Sequence, residues 1–253
     1  MNGGQPSIIQ PIAGPWDSPH VVNRKNFPNV LNDIILYCID YFVKIMNQKN
    51  SLGLNKCFLD LDDPFELFEK WFIEAKKKEI NDPNALALGT ANKSGIPSVR
   101  MVLLKNFDKN GFVFYTNLNS QKGNEIKENP NATMCFHWKS LLRQIRIVGT
   151  LEQVDSKKAD EYYNSRAYES RIGAWASKQS SVLKSRQELL NNLENFRKKY
   201  SNKKNVPRPA YWSGWNLKPS SIEFWLDGDN RIHERLKYSL VKKDVWVKNL
   251  LSP

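Results

Sequence analysis

Histidine and cysteine are scarce, three of each in 253 residues, and neither falls into a metal-binding or nucleophilic pattern. Cys38, Cys57 and Cys135 lie far apart, are odd in number and show no C-x-x-C spacing, so neither a disulfide framework nor a zinc site is indicated and a reducing cytosol fits best. His20, His137 and His233 have no Cys or acidic partners at ligand spacing, and no Gly-rich phosphate loop or Ser, His and Asp constellation is visible. A long apolar run is missing too. The longest, Ile34 to Met46, is broken by Asp40 and Lys44, too short to span a bilayer and too deep for a signal peptide. Acidic side chains are outnumbered, 26 against 38 Lys and Arg, and the resulting +12 points to an anionic partner: nucleic acid, a membrane surface or phosphorylated small molecules.

With 40% hydrophobic residues the chain can bury one sizeable core. Residues 1–61 read as a loosely ordered extension, and order begins at Asp62-Asp63-Pro64. There an acidic N-cap and a Pro at the first helical position precede Phe65, Phe68, Trp71, Phe72 and Ala75 at helical spacing, which predicts an amphipathic helix to about Ile80. From Ala85 the period changes. ALALGTAN, SVRMVLLKNF and FVFYTN are β-rich runs separated by turn residues, so antiparallel hairpins follow. A helical insert at Ser120 to Glu128, the strands TMCFHW and QIRIVGTLEQV, and helices over Ser156 to Arg166 and Ser185 to Tyr200 come next. Strands at Ser221 to Trp225, Arg231 to Val241 and Val245 to Val247 close the chain. Many antiparallel strands with peripheral helices predict a small β-barrel of α+β class over residues 62–253, since closure removes unpaired edges.

Several groups of residues carry chemistry. Arg231, His233 and Arg235 alternate along a strand-like run and would share one face. Tyr162, Arg166 and Ser170 recur every four residues, which on a continuous helix stacks a phenol, a guanidinium and a hydroxyl suited to phosphate. Arg100 and Lys105 have odd separation and point to opposite strand faces unless a bulge or strand end redirects one. Gln179-Ser180-Ser181 and Ser120-Gln121-Lys122-Gly123 lie beside helix starts, where free N–H groups can hold an anion. On spacing alone, solvated charged faces and ordinary N-caps are the commoner explanation of these patterns.

The stretch VPRPAYWSGWNLKPSSIEFWLDGDNRIHER (206–235) resembles the C-terminal signature of the pyridoxamine 5′-phosphate oxidase family. RMVLLK, FVFYTN, the Lys122-Gly123 pair, RQIRIVG, YYNSR and KQSSV match that family's motifs in order over about residues 62–253. The resemblance implies a homodimer of antiparallel split β-barrels with FMN at the subunit interface. It implies flavin contacts from Arg100, Met101, Tyr115, Thr116, Lys122, Gln144, Gln179, Ser180, Trp225 and Arg235. Lys105, Tyr162, Arg166 and Ser170 would hold the substrate phosphate, with Arg231 and His233 beside its pyridine ring as the catalytic pair. The implied reaction is oxidation of pyridoxine or pyridoxamine 5′-phosphate by hydride transfer to flavin and then to dioxygen, with no metal, no nucleic acid and no membrane. FMN and substrate each bring a phosphate of about −1.5 to −2, so two basic clusters are expected.

The sequence departs from that pattern at Gln121, where a second basic residue is usual, and at Trp215, Leu226 and Leu250; residues before Asp62 lack the expected Arg and Tyr pattern. Two other functions compete with this one. A phenazine-pathway flavoenzyme would share the flavin residues but needs no phosphate cluster. A nucleic-acid binder would account for the basic run Arg197, Lys198, Lys199, Lys203, Lys204 and Arg208.

Overall fold

The computed structural model describes residues 58–202 and 205–253, so the Ile34 to Met46 stretch, nearly all of the expected N-terminal extension, and Lys203 and Lys204 lie outside the described residues. The chain enters the core at Phe58, which is 2% exposed and stacks on Trp71 at 5.8 Å. Helix α1 (Pro64–Lys78) follows. Asp63 accepts the Phe65 N–H at 2.8 Å, and Lys76, Lys77 and Lys78 face the carbonyl end of the helix dipole. The helix stops two residues short of the sequence expectation, because Glu79 turns extended, leaving Ile80 outside.

Strands β1 (Ala85–Ala91), β2 (Pro97–Leu103), β3 (Asn106–Asp108), β4 (Gly111–Asn117), β5 (Asn131–Trp138), β6 (Arg143–Gln153), β7 (Trp212–Leu226), β8 (Glu234–Lys242) and β9 (Val245–Leu250) form one antiparallel sheet. The order is β2-β1-β5-β6-β7-β4-β3, and β8 and β9 add to the far half of β7. The sheet curls into a split barrel around α1. Phe68 meets Phe107 and Phe112 edge-on at 4.8 and 4.9 Å, and Trp71 meets Phe224 at 5.3 Å. Truncating one such buried ring to Ala costs about 3–5 kcal/mol.

Two differences from the sequence reading matter for the site. SVRMVLLKNF is not one strand. Leu104 N–H reaches Asn84 O and Lys105 N–H reaches Val113 O, each at 2.8 Å, so the chain leaves β1 and joins β4 at Lys105, a barrel corner. The strand expected at Ser221 begins instead at Trp212 and runs through Pro219. Pro219, which has no N–H to donate, sits at the register shift of β6 between Val148 and Gly149, where ladder bonds are interrupted anyway.

Around the barrel lie α2 (Gln121–Glu128), α3 (Ser156–Ser165), α4 (Tyr168–Ala176) and α5 (Arg186–Lys199). The continuous helix expected through Tyr162, Arg166 and Ser170 does not exist. Arg166 caps α3 with ψ 149°, and α4 starts afresh at Tyr168.

Candidate active site

A cavity of about 700 Å³ opens where the corner between β2 and β3 faces the end of β4. The break between α3 and α4 roofs it, and this corrects the helix argument without dispersing its residues: Tyr162, Arg166 and Ser170 all line the cavity, with Lys105. The odd separation of Arg100 and Lys105 is resolved by the corner, which turns Lys105 toward the cavity and leaves Arg100 out of its lining. Met101, Tyr115, Thr116, Lys122 and Gln179 also line it. Ser180, next to Gln179, does not, and holds a left-handed backbone at φ 71°.

One wall is aromatic. Tyr115 stacks on Tyr162 at 4.0 Å and on Trp212 at 5.4 Å, and the Arg166 guanidinium lies 4.7 Å over the Trp212 ring. Gly214 makes room for this wall, since a Cβ there would come within 2.7 Å of the Tyr115 ring. Burial, with Tyr162, Asp155 and Glu161 nearby, raises the Tyr115 pKa and keeps the phenol protonated.

Among the described residues, Arg166 and Lys122 of the cavity lining make no ion pair with a carboxylate. Arg166 Nη1 is buried without a hydrogen-bond partner, and desolvation lowers the guanidinium pKa. Lys122, 8% exposed, donates to neutral acceptors only: Gln179 Oε1 at 3.0 Å, Thr116 Oγ1 at 3.2 Å and Ser120 Oγ at 3.4 Å. Burial, then the Arg100 charge, lowers its pKa, with Glu125 opposing. Lys122 stands in the first turn of α2, whose cap Ser120 accepts the Gly123 N–H at 3.3 Å. Gly123 is required there, because a Cβ would sit 2.4 Å from Leu118 O. A buried cation with no anion bonded to it is costly, and an anionic ligand that bonds it removes that cost. The arrangement therefore fits a ligand with phosphate groups at two places.

The other expected residues gather elsewhere. Gln144 stands opposite Trp225, and Trp225 opposite Arg235, on the face of β6, β7 and β8 turned away from Ile145, Phe224 and Leu236 in the core. Arg235 donates to Glu223 Oε1 through Nε at 3.0 Å and Nη2 at 2.8 Å, and Arg146 takes the other carboxylate oxygen. The expected shared strand face of Arg231, His233 and Arg235 is not formed. Arg231 lies in a short 3-10 turn at φ 66°, after Asn230 at φ 55°, and His233 precedes β8. His233 packs on Trp225 at 4.6 Å. Its Nδ1 lies 3.0 Å from Asp227 Oδ1 and 3.3 Å from the Gly228 N–H, donating to the first when protonated and accepting from the second when not.

Strands β1 and β5 separate this second cluster from β2 in the sheet order, and along β7 Trp225 lies 13 residues from Trp212 of the cavity lining. Beside the cavity, Val99, Met101 and Leu103 of end strand β2 are 71%, 65% and 37% exposed, an apolar stripe of the kind that other chains cover. Sequence reasoning missed Trp212, Asn117 and Ser177 in the lining, and Glu125 behind it. The start of a strand at Trp212 was the signal for the first. The basic run near α5 is partly neutralised: Arg197 pairs with Glu169 and Arg208 with Asp160, at 2.8 and 2.6 Å. Among the described residues no helix is long and apolar enough to cross a membrane, and no group of His, Cys, Asp and Glu could hold a metal ion.

The chain matches the family described as "Pyridoxamine 5'-phosphate oxidase" over residues 72–200, and "Pyridoxine 5'-phosphate oxidase C-terminal dimerisation region" over residues 212–253. It is 71% identical over 208 residues to the pyridoxine/pyridoxamine 5′-phosphate oxidase of Pelagibacter ubique, covering 82% of this chain and 100% of that one. The enzyme of the same name from Allorhizobium ampelinum is 56% identical, with 72% and 87% covered. Among solved structures, PhzG from Burkholderia lata, in complex with tetrahydrophenazine-1-carboxylic acid, superposes with a TM-score of 0.71 at 28% identity, covering 77% of this chain and 95% of that one.

Proposed function

The chain belongs to the pyridoxamine 5′-phosphate oxidase family, and from that premise we propose that it oxidises pyridoxine and pyridoxamine 5′-phosphates to pyridoxal 5′-phosphate, as an FMN-dependent homodimer. The observation that carries the phosphorylated substrate is Arg166, whose Nη1 is buried without a partner in the same cavity wall as Lys105, Tyr162 and Ser170. A phenazine-type ring substrate gives that cluster no dianion to hold.

Bound FMN would supply the chemistry of a two-electron acceptor that dioxygen reoxidises to give hydrogen peroxide, the alcohol becoming the aldehyde directly and the amine becoming an imine that water hydrolyses to the aldehyde and ammonia. The residues of the chain bind and align. Lys105, Tyr162, Arg166 and Ser170 grip the substrate phosphate, while Lys122, Thr116 and Gln179 hold the flavin phosphate and Tyr115 walls the cavity. Gln144, Ser180, Trp225 and Arg235 are assigned to the flavin, with Arg100 and Met101, and Arg231 and His233 to the pyridine ring. Because the two clusters lie apart within one chain, the second cluster acts on the cavity of the partner subunit. Held by these residues, cofactor and substrate would have the fixed orientation that a hydride transfer needs. Residues 62–253 carry the activity, in the cytosol, with Phe58 of the preceding segment packed into their core.

The test is a visible spectrum of the purified protein together with a peroxide assay on pyridoxine 5′-phosphate. A yellow protein with about one FMN per chain that forms peroxide is expected. Colourless protein that takes up no added FMN overturns the flavin assignment, and a yellow protein inactive on both phosphates overturns the substrate.

A further inference from the structure

Glu125 stands one turn after Lys122 on α2 and is 7% exposed, with no place in the chemistry above. It is the hub of a polar cluster behind the cavity. Its Oε2 accepts from Thr90 at 2.5 Å, from Ser98 at 2.7 Å and from Arg100 Nη2 at 3.1 Å, and its Oε1 from Ser98 at 2.8 Å and Gln121 at 2.9 Å. Burial would raise its pKa, but the hydrogen bonds from Thr90, Ser98 and Gln121, with the Arg100 charge, hold it down to about 2. The carboxylate is ionised at any working pH.

Two consequences reach the anion site. Arg100 is occupied: Nη2 goes to Glu125 and Ser98, and Nη1 to Leu88 O and Thr90. Gln121, where the family pattern expects a cation, turns its amide onto the same carboxylate. Lys122 is thereby the cation of α2 that lines the cavity, and a full negative charge lies one helical turn behind it.

We propose that Glu125 is the affinity-setting residue of the flavin-phosphate site, a built-in counter-anion that balances Arg100 and Lys122 when no phosphate is bound and opposes the phosphate when it arrives. This rests on the reading of Lys122 as a flavin-phosphate ligand. Replacing the carboxylate by its isosteric amide leaves the helix cap and the cavity lining in place and removes one repelling charge at short range. At about 10 Å and an effective dielectric constant of about 25–50, between the protein and water limits, one charge against one is worth about three- to tenfold in affinity for a phosphate.

The experiment titrates apoprotein with FMN and with riboflavin, which has the same ring but no phosphate, following the quenching of flavin fluorescence. Glu125→Gln lowers the FMN Kd by about three- to tenfold and leaves the riboflavin Kd unchanged. An FMN Kd that is unchanged or raised, or a shift shared equally by riboflavin, overturns the proposal, since a purely structural role moves both ligands together. Gln121→Arg keeps the buried carboxylate and covers a Glu125→Gln chain that does not fold. It neutralises Glu125 from the exposed side and also tightens FMN, and an unchanged Kd again overturns the proposal. Lys122→Met is the check on the premise: it weakens FMN but not riboflavin, and if it weakens neither, the phosphate reading falls with everything built on it.

Discussion

Arg166→Met separates what a residue does for the ligand from what it does for the fold. Methionine keeps much of the side-chain length and apolar bulk and removes the fork and the charge. In the apoprotein the guanidinium has a buried Nη1 without a partner, and an unsatisfied buried donor costs about 1–3 kcal/mol. Against that stands its placement 4.7 Å over Trp212, a cation–π contact worth about 0.5–2 kcal/mol. The two nearly cancel, so apoprotein stability changes by less than about 1 kcal/mol, or about 2–4 °C in Tm for a chain of this size. Phosphate binding, in contrast, loses a charge-assisted contact of about 1.5–3 kcal/mol, which is about ten- to hundredfold. The loss should fall on KM, with kcat nearly unchanged, because the phosphate is gripped equally in ground and transition states. Steady-state kinetics with pyridoxine 5′-phosphate, beside a melting curve of the apoprotein, reads both quantities. A collapse of Tm by ten degrees or so, or a KM unchanged within twofold, would refute the reasoning.

Three further outcomes follow from the same geometry. Lys122, lowered by burial and then by Arg100, loses its proton below the ordinary lysine range, so FMN retention should fall as pH rises through that lowered pKa while the apoprotein gains stability; flavin release measured against pH should lose this alkaline limb in Lys122→Met. Glu125, held down to about 2 from an ordinary 4.5, contributes stability that is fully present above pH 4.5 and drains away as pH falls through 2; acid unfolding of Glu125→Gln should lack that slope, worth about 3 kcal/mol. Arg231→Ala and His233→Gln should keep flavin content and KM for the phosphate near normal while lowering kcat, and full kcat in both would remove them from the pyridine ring.

Local periodicity made most of the fold legible, and its failures share one cause: a backbone feature that alternation cannot signal. Asp63-Pro64 and the Phe65, Phe68, Trp71, Phe72 spacing located α1 because cap chemistry and burial agree there. Arg231 and His233 looked like strand residues because every second position was basic or aromatic. The left-handed turn at Asn230 and Arg231, a conformation that non-glycine residues seldom adopt, has no sequence mark of its own. Pro219 looked like a strand boundary because its missing N–H is normally intolerable, and the irregularity that excuses it, Ser220 left unpaired between Val148 and Gly149 of β6, shows only in the register of the two strands. The site was legible through the family resemblance, since spacing alone left solvated faces as good an explanation. Tyr162, Arg166 and Ser170 meet despite the broken helix, because the corner at Arg166 folds α4 back over the same cavity. Glu125 stayed invisible, since its partners Thr90, Ser98 and Arg100 lie on other elements, brought near only by the tertiary fold.

Strand β7 carries Trp212 of the cavity wall near its start and Trp225 of the second cluster near its end, so one strand joins the cavity of its own chain to the cluster assigned under the proposal to the partner's cavity. Genetic damage to the two halves should therefore be separable. With substrate well below KM, a subunit spoiled at Arg166 and a subunit spoiled at His233 each retain little activity as pure dimers. In a randomly reassorted equal mixture half the dimers are mixed and each has one undamaged site of two, so activity should return to about one quarter of the native value. Two lesions in the same half, such as Lys105 with Arg166, should show no such rescue. The enzyme is in this sense a pair of incomplete tools, and inheritance of two different faults is milder than inheritance of the same fault twice.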